Sequence, residues 1–71
     1  MYFKRLKELR EDHDKYQKEI AALLKISQQY YSEYEKGNRP IPVEYVIILA
    51  KFYHVSTDYI LELTDNATPY Q

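Results

Sequence analysis

Apolar residues in this chain recur at spacings of three and four through five short stretches, separated by breaks of only two to six residues. That pattern confines it to packed helices, because no run alternates apolar and polar residues as a half-buried strand does. With 71 residues there is room for one domain. A chain this short buries only about 60% of the surface its unfolded form exposes, so its core supplies roughly 3–5 kcal/mol and self-association would help it.

The first stretch, Tyr2 to Asp12, sets Phe3, Leu6, Leu9 and Arg10 on one stripe and is ended by Asp12-His13-Asp14. The second, Gln17 to Leu24, carries Ile20, Ala21, Leu23 and Leu24, with Asp14 and Gln17 spaced as a capping box. Ser27 is an N-cap for a third helix from Gln28 to Lys36, which stops at Gly37 and turns Tyr31, Tyr34 and Glu35 inward. The prolines make residues 38–42 a loop, with Pro42 opening the fourth helix. That helix, Val43 to Tyr53, packs through Val46, Leu49, Ala50 and Tyr53 and ends at a left-handed His54. Ile47, Ile48 and Phe52 are apolar surplus that something else must cover. Ser56 caps a fifth helix, Thr57 to Leu63, and Thr64 to Gln71 is expected to fray. The domain is thus placed at residues 1–65 and a flexible tail at 66–71.

A net charge of −1 is unfavourable to a nonspecific polyanion binder. Its distribution is more informative: residues 1–53 hold all ten Lys and Arg against eight acids, whereas residues 54–71 hold Asp58, Glu62 and Asp65 and no Lys or Arg. Without Cys there are no disulfides, which small secreted domains usually need, so a cytoplasmic location is expected. No stretch approaches the roughly 20 apolar residues of a membrane span. His13 and His54 lack a nucleophile or carboxylate at recognisable spacing, so neither catalysis, nor a metal, nor a cofactor is expected. The nine tyrosines suggest stacking on single strands, but Tyr31, Tyr34 and Tyr53 fall on core stripes.

The second and third helices, joined by a tight turn, have the proportions of a helix-turn-helix, which lays its second helix in the DNA major groove. The outward face of the third helix carries Gln28, Gln29, Ser32, Glu33 and Lys36, all capable of hydrogen bonding. A Gln amide pairs two-fold with adenine N6 and N7, and Gln28 and Gln29 sit at the helix N-terminus that reaches furthest into a groove. The competing reading of the same residues is a solvated helix face.

From Leu6 to Asp65 the chain resembles the phage-repressor and Cro-like, or XRE-type, helix-turn-helix regulators. The resemblance is carried by Arg5-Leu6-Lys7-Glu8-Leu9-Arg10, by Gln17 through Ala21, by Ile26-Ser27-Gln28-Gln29, by Tyr34-Glu35-Lys36-Gly37 and by Val55 through Tyr59. It implies an all-α five-helix bundle of the lambda-repressor-like type, with Gln28, Gln29, Ser32 and Glu33 reading bases. It also implies that Gln17 contacts a phosphate and buttresses Gln28, and that Arg10 and Glu35 form a partly buried structural ion pair. Lys18, Lys36, Asn38 and Arg39 stand with Gln17 at the edges of the two-helix unit as phosphate contacts, and Tyr30 offers a hydroxyl there.

Three positions depart from the family pattern. Lys25 stands where Gly is usual, and either adopts a left-handed conformation at roughly 1–2 kcal/mol or sits in a different turn. Tyr16 replaces the usual Ser or Thr cap, leaving either a phosphate-facing hydroxyl or capping from Asp14. Glu33 puts a carboxylate near DNA, where it either accepts from cytosine N4 or pairs with Lys36 at i+3, the latter preferred.

The expectation that follows is a homodimeric, sequence-specific binder of double-stranded DNA that regulates transcription, as a repressor on a palindromic operator. Its dimer surface is placed at Ile47, Ile48, Phe52, Tyr59 and Leu63, away from the basic face. The alternative is a protein-interaction module, antitoxin-like or an anti-repressor partner, that uses the same fold. No small-molecule ligand or membrane is expected.

Overall fold

The computed structural model describes residues 2–69, and every regular element among them is a helix. The elements are α1 (Lys4–Asp12), α2 (Gln17–Leu24), α3 (Gln28–Lys36), α4 (Val43–Tyr53) and α5 (Thr57–Ile60). Of these, none is long and apolar enough to cross a membrane.

The helix stripes meet in one core of Leu6, Leu9, Ile20, Leu24, Tyr31, Val46, Leu49, Tyr53 and Ile60. Tyr31 and Leu49 are fully buried at the centre. The α2–α3 turn is built by Lys25 at φ 60°, ψ 40°, so the left-handed alternative is the one adopted. The amide of Ile26 then donates to the carbonyl of Ala21, and Ser27 Oγ accepts from the amide of Tyr30 to open α3. Gly37, at φ 78°, ends α3 in the same way.

Several expectations change at the element ends. Helix α1 begins at Lys4, with Phe3 in extended conformation as its N-cap. The Asp14–Gln17 capping box does not form, because Asp14 is itself at φ 55°. Glu19 takes that role, its Oε1 accepting from the amide of Tyr16 at 2.9 Å. Helix α5 stops at Ile60, three residues short of Leu63, because Glu62 turns to φ 61° and reverses the chain. Thr64 to Pro69 does not fray away: the carbonyl of Ala67 accepts from the amide of Ser56, and Ala67 packs against the core. Tyr70 and Gln71 lie outside the described residues.

Arg10 and Glu35 tie three elements together. Arg10 Nε donates to Glu35 Oε2 at 2.7 Å and its Nη2 to Oε1 at 3.1 Å, a two-pronged contact between α1 and α3. Arg10 Nη1 donates to the carbonyl of Lys15 in the α1–α2 loop. Gln17 Nε2, in the first turn of α2, donates to Glu35 Oε1 at 3.1 Å. The Tyr31 hydroxyl lies against the same carboxylate without completing a hydrogen bond of good geometry. Glu35 is 5% exposed, so losing a partner leaves a desolvated charge. Burial opposes its ionisation, but the contacts from Arg10, Tyr31 and Gln17 outweigh burial and hold the carboxyl below its ordinary value. Burial first, then the Glu35 charge, pushes the hydroxyls of Tyr31 and Tyr53 far above the ordinary phenol range, so both remain neutral.

The lowered Glu35 pKa sets the sign of a pH effect. A carboxyl that is a stronger acid in the folded state contributes stability fully present above its unfolded value, near 4.5, and lost as the pH falls through the folded value. In urea titrations Glu35→Gln should cost about 1.5–3 kcal/mol at pH 7. Its difference from wild type should shrink as the pH drops below about 4.5. A difference independent of pH would contradict this.

Candidate functional site

Successive residues of α3 advance by about 100°, so Gln29, Glu33 and Lys36 share the midline of the face opposite Tyr31, Tyr34 and Glu35. Gln28 and Ser32 fall at one margin, toward α2, and Tyr30 at the other. Gln28, Gln29 and Tyr30 are exposed, whereas Ser32 and Glu33 are half-buried. Two shallow hollows flank this ridge. One lies against Arg39 and is lined by Ser27, Gln29, Tyr30, Ser32, Glu33 and Lys36. The other is lined by Arg10, Tyr16, Gln17, Lys18 and Gln28. The four expected base readers and five of the six expected phosphate contacts therefore line these two hollows.

Three side chains on this side have partners other than those expected. Gln17 gives its amide to Glu35 rather than to Gln28, because the ion-paired carboxylate is the stronger acceptor within reach, although Gln17 and Gln28 line the same hollow. Glu33 does not pair with Lys36. Its Oε2 accepts from Asn38 Nδ2 at 2.9 Å, because the left-handed Gly37 turns Asn38 back over the last turn of α3. That contact uses one of the two N–H groups of the Asn38 amide. The Tyr16 hydroxyl does not cap α2, and the ring is exposed beside Gln17 and Lys18. Arg39, in the loop after α3, stacks its guanidinium 5.0 Å from the ring centre of Tyr30.

Two residues join this side without a sequence signal that singled them out for it. Lys7 and Tyr2 border a hollow shared with Arg10, Gln17, Glu35 and Lys36. The i, i+3 spacing of Lys7 and Arg10 is the one trace of this in the sequence.

On α4 and beyond α5, Ile47, Ile48, Phe52 and Leu63 are 41%, 37%, 43% and 72% exposed. Tyr59 differs from them. One face of its ring is covered from within the chain by Arg5, whose guanidinium lies 4.1 Å from the ring centre. Arg5 also donates to the carbonyls of Tyr59 and Thr64 and pairs with Asp65 at 2.8 Å, fastening the acidic end of the chain to α1. Among the described residues no group of three or more His, Cys, Asp or Glu could hold a metal ion.

The sequence model of the family described as "Helix-turn-helix" matches residues 6–60. Over 69 residues the chain is 39% identical to a protein of Bacillus subtilis (strain 168) named uncharacterized HTH-type transcriptional regulator YobD, covering 97% of this chain and 62% of that one. Over 58 residues it is 41% identical to the HTH-type transcriptional regulator ImmR of the same organism, covering 82% of this chain and 46% of the relative. The chain thus spans roughly half to three-fifths of the length of these curated relatives. No solved structure matches it.

Proposed function

The chain belongs to the helix-turn-helix family of XRE-type DNA-binding transcriptional regulators, and from that premise we propose that it is a sequence-specific binder of duplex DNA that acts as a homodimeric repressor. The observation that carries the proposal is the outward face of α3. Gln28, Gln29, Ser32 and Glu33 present amides, a hydroxyl and a carboxylate on a short helix whose inner face is locked into the core. An α-helix fits the major groove, and side chains of this kind match the donors and acceptors at base edges. Lys18 and Arg39 border the hollows beside this face and Lys36 continues its midline, cations that phosphates would attract, with Lys7 of α1 and Tyr2 bordering a further hollow. Tyr30 holds the Arg39 guanidinium by stacking, so less side-chain freedom is lost when it meets a phosphate.

A net charge of −1 leaves little bulk attraction to DNA, so affinity must come from base reading and from doubling the contact surface. Support for a dimer is the set of exposed apolar side chains on α4 and beyond α5. Ile47 and Ile48 are about 100° apart around α4, with Lys51 and Glu44 between them, so they belong to two flanks of the helix. Ile47 opens onto α5 through Ala50, Val55 and Thr57, and that flank, with Leu63, is the part we assign to the dimer contact. Two copies related by a two-fold axis would present their α3 helices to half-sites about one turn of duplex apart, whence a palindromic operator. Occupying a promoter in this way represses by exclusion.

Two measurements test the proposal. On a duplex recovered by selection from a random library, Gln28→Ala should cost about 1–3 kcal/mol and relax preference at one base position. Lys36→Ala should weaken all sequences alike and reduce the slope of log affinity against log salt by about 1. Equal effects of both variants on every sequence would contradict base reading. In sedimentation at micromolar concentration wild type should be a dimer and Ile47→Asp a folded monomer; a monomeric wild type would contradict the dimer.

A further inference from the structure

Glu33 is the one acidic side chain on the outward midline of α3, and its surroundings define what it can bind. Oε2 is occupied by the Asn38 amide at 2.9 Å. Among the described residues Oε1 has no hydrogen-bonding or ion-pairing partner, since neither Lys36 nor Arg39, which line the same hollow, is paired to it. The residue is half-buried, and its contact with Asn38, which is solvent-exposed, orients the carboxylate from the loop side. Docked into a groove it would lose its remaining water, and a charged oxygen without a donor is costly to desolvate.

An ionised carboxylate only accepts, so guanine N7 and O6 and thymine O4, which are acceptors, repel it. Two base edges in the major groove offer donors, cytosine N4 and adenine N6. In the paired duplex adenine N6 is flanked by acceptors on both sides, its own N7 and thymine O4, which oppose a negative group, whereas cytosine N4 has an acceptor, guanine O6, on one side only. Resting on the duplex-binding reading above, we infer that Glu33 is a specificity-determining residue that selects cytosine at one position of each half-site, with Asn38 as its positioning residue. Gln29, one turn earlier in the same row, reads a neighbouring base, so the cytosine lies beside the base that responds to Gln29.

The test is selection from a random duplex library with wild type, Glu33→Gln, Glu33→Ala and Asn38→Ala, each first checked for native helicity by circular dichroism. Wild type should recover cytosine at one position per half-site, favoured about fivefold or more. Glu33→Gln retains an acceptor for Asn38 and gains a donor, so its preference there should move to adenine. Glu33→Ala should leave that position without preference and every other position unchanged. Asn38→Ala should reduce the cytosine preference without creating a new one. If wild type and both Glu33 variants recover one motif with the same base frequencies, the inference falls and the duplex-binding reading stands. If wild type recovers no motif, the duplex-binding reading falls and the inference with it. If Asn38→Ala retains the full cytosine preference, its positioning role is overturned.

Discussion

The two-pronged contact between Arg10 and Glu35 is the constraint on which the rest of this structure depends. It joins α1 to the last full turn of α3, and through Arg10 Nη1 and the Gln17 amide it also fixes the loop before α2 and the first turn of α2. A helix-turn-helix is two short helices, neither stable alone in water, whose relative angle decides which side chains reach outward together. Here the angle is held by apolar packing around Tyr31 and by one buried charge pair. The charge pair adds directionality: a carboxylate satisfied by a planar guanidinium and an amide tolerates little rotation of α3.

That arrangement separates the molecule into two sides. The buried contacts of α3 are made by Tyr31, Tyr34 and Glu35 on its inner face, which leaves Gln28, Gln29 and Ser32 to carry recognition chemistry. The acidic segment after α4 is fastened to α1 by Arg5, which lies over the Tyr59 ring and pairs with Asp65. Along the sequence the near-neutral net charge is a sum over a mildly basic stretch, residues 1–53, and an acidic one, residues 54–71, which Arg5 ties together.

Much of the fold was legible because it is local. Ser27, Gly37, Pro42 and Ser56 act within three or four residues of themselves, and α2, α3 and α4 have the bounds their caps and stripes require. The errors fall where a choice between equal local options is settled by distant atoms. Glu33 had Lys36 on its own helix and Asn38 beyond it, and the left-handed turn at Gly37 brought Asn38 closer. Gln17 gives an amide N–H to Glu35, a charged acceptor eighteen residues away that no local spacing announces. The role of Arg5 joins residues about sixty positions apart, and no spacing rule foretells such a contact. Lys25 was legible as a question: the turn required a left-handed residue, and the structure places a lysine in it.

The central claim is that the outward face of α3 is the surface that meets duplex DNA. The most direct measurement is the amide NMR spectrum of the protein titrated with a selected duplex. The largest shifts should fall on residues 27–33, with smaller ones at Lys7, Gln17, Lys18 and Arg39, and α5 should move little. Shifts concentrated on α4 and α5 with the amides of Gln28 and Gln29 unmoved would contradict it.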